Sequence, residues 1–382
     1  MNRRPPLPED MKELRRLVRE GKLFAVQKWI ADGKRTFDPD SAWSSPFEIA
    51  VDTGFHSMVE LLLQQGVDKE ERNYMLERAV GDGNFELIKL LVEYGADPKC
   101  VDFEEVCRTG HPFIIKFFID LGIDAETDQP FARALCYPKH RYLGVYMRYR
   151  NKFPSFKRQL NLALRHLARE GNLKWVSLLM WAGGDPHLHL PDIGEKPCPR
   201  TDTSALEEAV HMDRQEIVDR IGIDPKRDNV DRMFELACLL GHTKIAEKLV
   251  AAGANPLGKN DSGEPMRSAM VRLEWDMEER YGVRSEFAAQ KALEAVVRLA
   301  DLGARWRPTG SALRRFRRNL YFFDLTFSEN MVRTLHHHKV CAPEALLKLI
   351  TAPKMKTYLG YRRAGLVDLI HSAPGFKTSP KP

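Results

Sequence analysis

Gly83-Asn84-Phe85-Glu86-Leu87-Ile88-Lys89-Leu90-Leu91-Val92-Glu93-Tyr94-Gly95-Ala96-Asp97-Pro98 sets the architecture of this chain. Its two glycines stand twelve positions apart, and Leu87, Ile88, Leu91 and Val92 lie at offsets of four, five, eight and nine from the first. Those offsets form one stripe on a short helix. The second glycine falls just past the last apolar residue, where a left-handed C-cap favours a residue without a β-carbon. The same pair recurs as Gly21 and Gly33, Gly54 and Gly66, Gly110 and Gly122, Gly171 and Gly183, and Gly241 and Gly253. Between them the same slots are apolar: Ala25, Val26, Trp29 and Ile30 in the first copy, Met58, Val59, Leu62 and Leu63 in the second. Ile114, Ile115, Phe118 and Ile119 follow, then Trp175, Val176, Leu179 and Met180, then Ile245, Ala246, Leu249 and Val250.

One such unit cannot bury its own apolar face, so the chain is expected to be a stacked array. Starts at Gly21, Gly54, Gly83 and Gly110 lie 33, 29 and 27 residues apart, too short for armadillo or HEAT units. Tails such as Gly95-Ala96-Asp97-Pro98 and Gly253-Ala254-Asn255-Pro256 follow the second glycine. Ser45-Pro46-Phe47-Glu48-Ile49-Ala50 resembles the Thr-Pro-Leu-His-x-Ala opening of an ankyrin repeat. The chain resembles an ankyrin-repeat protein over most of residues 10–305. The resemblance implies an all-α, ankyrin-type α-solenoid of about nine or ten helix-turn-helix repeats.

Further units are placed by spacing. A poor copy spans 139–151, with Leu143 and Met147 inward, Gly144 and Arg148 in apolar slots, and Asn151 as a left-handed cap. A shortened copy starts near Asp213 and packs Ile217, Val218 and Ile221 inward. Another runs from Lys291 to Gly303 with Ala295, Val296, Leu299 and Ala300 in the stripe. Ser311-Ala312-Leu313 reads as a last repeat opening, with its second helix over 330–337. The solenoid is thus expected over 1–305, and a basic C-terminal repeat or capping region over 306–382. Insertions are expected near 187–203, where Pro191, Pro197 and Pro199 signal a loop, and near 256–289, where 266–280 is a charged run of helix formers.

The 382 residues carry a net charge of +6, unevenly spread. Residues 44–130 hold eighteen acidic and seven basic side chains, and residues 304–382 hold four and fifteen. Residues 139–166 carry no carboxylate and interleave Arg141, Arg148 and Arg150 with Tyr142, Tyr146, Tyr149, Phe153 and Phe156. Arg305, Arg307, Arg314, Arg315, Arg317 and Arg318 cluster beside Trp306, Tyr321, Phe322 and Phe323. These nine arginines are the candidate residues for an anionic partner. The partner is an acidic protein surface in the first reading and a nucleic acid bound by 139–166 and 305–318 in the second.

No apolar run approaches the roughly eighteen residues of a membrane span, and residues 1–10 are polar and proline-rich. A cytoplasmic location is expected, with Cys100, Cys107, Cys136, Cys198, Cys238 and Cys341 as unpaired thiols, since their spacing forms no framework. No nucleophile elbow, phosphate loop or His-Glu-x-x-His motif is present, and Gly81-Asp82-Gly83 lacks the third glycine of a dinucleotide fingerprint. His187, His189 and Asp192, near Cys198, depart from metal-hydrolase spacing and read as loop residues. Consecutive His336, His337 and His338 would fan around a helix and read as surface or cap residues. No metal, cofactor, membrane or small-molecule substrate is expected. The resemblance implies a non-enzymatic protein-binding module, an adaptor, scaffold or inhibitor, that uses a concave face and edge loops.

Overall fold

The computed structural model describes residues 9–37, 45–137, 140–193, 202–257, 265–277, 286–321 and 323–372, without the side chains of 140–142. They group into two compact units, one of residues up to 163 with Ile193, the other of Leu164–Asp192 and the described residues from 202 onward. In the first unit, α1 (Glu9–Arg19) is followed by α2 (Leu23–Ala31), α3 (Pro46–Thr53) by α4 (His56–Leu63), and α5 (Lys69–Gly81) by α6 (Phe85–Glu93). Then come α7 (Phe103–Thr109) with α8 (Pro112–Asp120), and α9 (Pro130–Cys136) with α10 (His140–Tyr149). The division between units falls within α11 (Ser155–Glu170).

The second unit continues with α12 (Leu173–Trp181), α13 (Ala205–His211), α14 (Gln215–Ile221), α15 (Val230–Leu240) and α16 (Thr243–Ala251). It closes with α17 (Pro265–Met277), α18 (Glu286–Asp301), α19 (Gly310–Leu320), α20 (Leu325–His337), α21 (Pro343–Ile350), α22 (Pro353–Leu359) and α23 (Arg362–His371). The fold is all-α: among the described residues no strand forms, and two isolated bridges are the only β pairing. No helix among them is long and apolar enough to cross a membrane.

Packing follows one rule in both units. First helices lie on first helices, α1 on α3 and α5 on α7 and α7 on α9, while α2 lies on α4. In the second unit α13, α15, α17, α19 and α21 form one such row, and α12, α14, α16, α18 and α20 the other. Every stripe residue of the six glycine-paired copies is buried or half-buried. Fully burying a side chain of this size contributes about 1.5–3 kcal/mol, so each interface between repeats outweighs the helix propensity of the short segments it joins.

All twelve paired glycines have positive φ. At Gly95 (φ 86°) the peptide N–H donates to Val92 O at 3.0 Å and that of Ala96 to Leu91 O at 2.9 Å, a Schellman turn that buries Ala96. Arg72 on α5, the first helix of the same pair, donates to Tyr94 O at 2.7 Å, and Asp97 N donates to Asn73 Oδ1 at 2.8 Å, so this turn is also tied to its own first helix. Side-chain caps start the helices: Ser45 accepts from Glu48 N, and Asn84 from Leu87 N.

Four expectations are revised. On α10 the buried residues are Val145 and Tyr146, while Met147 is exposed and Leu143 half-buried. An aromatic stack sets this rotation: the Phe131 ring lies 6.1 Å from Tyr146 and 4.6 Å from Phe156, and Phe153 stacks on Phe156 at 4.9 Å. Asn151 is not left-handed; the described non-glycine residues at positive φ are Asp128, Gln129, Asp213 and Lys339. Within the insertion expected near 256–289, residues 265–277 form α17, whose Met266, Ala269, Met270, Leu273 and Met277 are buried, and it takes a first-helix place between α15 and α19. Its apolar residues fall at helical spacing among the charges, which the charge count alone concealed. The second helix expected over 330–337 begins earlier, at Leu325, because Asp324 caps it through Thr326 N and Phe327 N.

The loop near 187–203 is held by a buried polar knot. Leu190 and Thr203 pair as an antiparallel bridge. Beneath them Arg165, almost wholly buried, donates to Thr203 Oγ1 and Glu208 Oε1 at 2.7 Å each and meets Asp192 Oδ1 at 2.8 Å. Removing Arg165 leaves Glu208 buried without its cation. Arg165→Ala is therefore expected to cost about 3–5 kcal/mol, read as a lower urea midpoint. Gly95→Ala is expected to cost about 1–2 kcal/mol from the left-handed backbone alone, since a Cβ there meets nothing nearer than the Arg72 guanidinium at 3.9 Å.

Candidate anion-binding groove

The second unit contains a cavity of about 1120 Å³ between two consecutive inter-helix turns. The first turn leaves α18 at Gly303 (φ 101°), where Ala304 N donates to Leu299 O at 3.0 Å, and enters α19 at its Thr309 cap. The second leaves α20 at Lys339 and enters α21 at Pro343. Trp306 N donates to Val340 O at 2.7 Å, which lays the two turns side by side. Trp306 itself is buried, with its ring edge-on to Phe316 at 5.4 Å. It forms apolar floor beneath the turns, together with Leu313 and Cys341.

Cations dominate the walls. Arg305, Arg307, Arg333, Lys339 and Lys348 line the cavity with His336, His337 and His338, against the single carboxylate of Glu344. Some of these charges are already engaged. Arg305 donates to Ala300 O at 2.5 Å and Ala304 O at 2.8 Å, closing the end of α18. Arg333 pairs with Glu329 at 2.7 Å, and His338 Nδ1 lies 3.2 Å from Asp301 Oδ1. No hydrogen bond or ion pair to the side chains of Arg307, Lys339 and Lys348 is present among the described residues. Burial pushes the His336 pKa down, against a backbone hydrogen bond at Leu369 that raises it.

Lys339 is the irregular element. It occupies the position that glycine fills after α2, α4, α6, α8, α12, α16 and α18, with φ 52° and the same pair of bonds, Lys339 N to His336 O and Val340 N to Leu335 O, both 3.0 Å. A left-handed residue with a β-carbon costs about 1–2 kcal/mol more than glycine there. The chain bears that strain at an exposed lysine that lines the cavity.

The predicted arginines are dispersed. Arg305 and Arg307 reach the groove, whereas Arg314, Arg315, Arg317 and Arg318 stay on α19 outside it. Arg315 pairs with the buried Glu274 at 3.1 Å, and Arg317 reaches toward Lys348 O at 3.4 Å. Arg148 is exposed and lines a separate groove of about 490 Å³ in the first unit, over Ile115 and Val145. Arg150 is exposed, and the side chain of Arg141 lies outside the described residues. Arg333, Lys339 and Lys348 escaped the sequence reading because they are isolated in the chain. The one legible signal was Lys339 standing where the pattern asks for glycine.

The loop histidines take separate partners, His187 on Asp228 at 2.9 Å and His189 on Glu207 at 3.1 Å, while Asp192 serves Arg165. Cys198 lies outside the described residues, among which no group of His, Cys, Asp and Glu could hold a metal ion.

No family model matches this chain, and no curated protein matches it. Among solved structures, the human ASB11 ankyrin repeat domain is similar at a TM-score of 0.25 and 13% identity, over 78% of this chain and 99% of that one. That likeness is too slight to support a fold or a function, and the architecture rests on the helix packing itself.

Cys341 tests whether the groove floor is closed. Burial pushes its thiol pKa up to about 12, so the thiolate required for alkylation is scarce at neutral pH. In the native protein at pH 8, Cys341 is expected to react with iodoacetamide more than about tenfold slower than an exposed thiol, and at the ordinary rate in urea. Mass spectrometry of the labelled peptide checks this.

Proposed function

We propose that this chain is an ankyrin-type protein-binding module without catalytic activity, an adaptor, scaffold or inhibitor. It holds a partner protein through its inter-helix turns and first-helix row, and the helices α19 to α23 belong to it as closing repeats. The observation that carries this reading is the groove between the turns 303–309 and 338–343, where the walls offer the unengaged cations Arg307, Lys339 and Lys348. Its one cysteine is a protonated, buried thiol. A stack of tied turns presents such a surface already ordered, so little entropy is lost on binding. A cytoplasmic setting belongs to the same proposal and is supported by Cys100, Cys107, Cys136, Cys238 and Cys341, all free thiols.

Four of the aromatics beside the basic segments, Tyr146, Phe156, Trp306 and Phe323, are buried, and Phe131, Tyr146, Phe153 and Phe156 stack on one another, which disfavours the nucleic-acid reading; Tyr321 stays exposed and packs on Tyr358 at 4.9 Å. Bases need exposed ring faces beside the cations.

Affinity purification of the intact chain from its own cells, with a nuclease-treated control, tests the proposal. A stoichiometric protein partner that survives nuclease is expected. Loss of all partners on nuclease treatment, together with oligonucleotide affinity falling with a log–log salt slope of several units, would establish nucleic-acid binding instead.

A further inference from the structure

We propose that the groove between the turns 303–309 and 338–343 is the seat of an acidic, carboxylate-rich segment of the partner protein, held by Arg307, Lys339 and Lys348. The proposal rests on the protein-binding reading above and assigns its contact site.

Charge complementarity selects the occupant. Three of the cavity's cations have no internal counter-charge among the described residues, and only Glu344 opposes them. Arg305, Arg333 and His338 are engaged by Ala300 O, Glu329 and Asp301. The three open cations come from different elements: Arg307 from the first turn, Lys339 from the second, Lys348 from α21. A ligand that meets all three must carry several separate negative charges, as an extended chain of Asp and Glu does at about 3.3 Å per residue. The floor of Trp306, Leu313 and Cys341 is apolar, whereas Arg307, Lys339 and Lys348 are exposed, so a single ion pair is weak and the segment must engage several of them together. Trp306 is covered and edge-on to Phe316, so it offers no face to a nucleobase.

The conformation of Lys339 argues the same way. Glycine would relieve the turn without disturbing Lys339 N to His336 O or Val340 N to Leu335 O. A lysine in that place gives up stability for a charge that lines the groove, and that exchange can be measured.

The experiment uses the intact chain and a fluorescein-labelled peptide of eight residues rich in Asp and Glu, followed by anisotropy. A neutral peptide of equal length and a single-stranded oligonucleotide of equal charge run beside it. Binding of the acidic peptide is expected, weakening about tenfold or more in the double variant Arg307→Glu with Lys348→Glu. Circular dichroism and melting temperature should stay unchanged; if the double reversal perturbs folding, Arg307→Gln with Lys348→Gln gives the same direction with smaller loss. Arg148→Glu, in the other unit, should leave binding unaltered. Lys339→Gly should raise the melting temperature while weakening the peptide about threefold, a combination that a purely structural residue would not produce.

The proposal is overturned if the acidic peptide does not bind, if binding ignores the Arg307 and Lys348 reversals, or if the oligonucleotide binds as tightly with the same sensitivity. Purifying the partner on the double variant separates this site from the broader reading. A partner retained by the double variant keeps the protein-binding function and removes the groove from it.

Discussion

Each helix of this chain carries an apolar stripe that has too little to bury against within its own repeat. The stripes must be satisfied by neighbours, and the rest of the structure follows from how the backbone is turned to let them meet. Gly95 shows the device: its left-handed conformation lets Ala96 N reach back to Leu91 O, so the chain reverses in one residue and the next helix starts in register. Arg72 on α5 then bonds Tyr94 O, so the turn that closes α6 is braced by the first helix of its own pair. Without the turn the stripe faces water; without the stripe the turn has nothing to hold it.

Departures from that rule are where the chain differs from a plain stack. At α10 the apolar slots are taken by Gly144 and Arg148, and the aromatic stack of Phe131, Tyr146, Phe153 and Phe156 replaces the stripe as the source of burial. The groove over Ile115 and Val145 is what the exchange leaves on the other side. At the base of the long loop, Arg165 is a buried charge held by Thr203, Glu208 and Asp192. At α20 the glycine of the turn becomes Lys339, exchanging backbone ease for charge.

These departures also explain why sequence clusters mislead about charge. Arg314, Arg315, Arg317 and Arg318 are adjacent in sequence and point around one helix, so they reach different surroundings, and Arg315 is engaged by Glu274. Arg307, Arg333, Lys339 and Lys348 are scattered in sequence, yet two inter-helix turns, α20 and the last turn of α21 bring them to one cavity.

The sequence by itself determined the repeat: the spacing of glycines and apolar slots follows from the helical period and from the left-handed cap, both of which are local. It also marked Arg305 and Arg307, and it placed Gly144 and Arg148 as misfits. Only the tertiary structure decided which face of α10 turns inward, that α17 is a first helix, and which cations remain open. Those outcomes depend on partners far along the chain: ring against ring for Tyr146, α15 and α19 for α17, and Glu274 or Ala300 O for the arginines. Side-chain periodicity records what one helix needs to bury, whereas the site is made by the charges left over after neighbouring repeats have satisfied the rest.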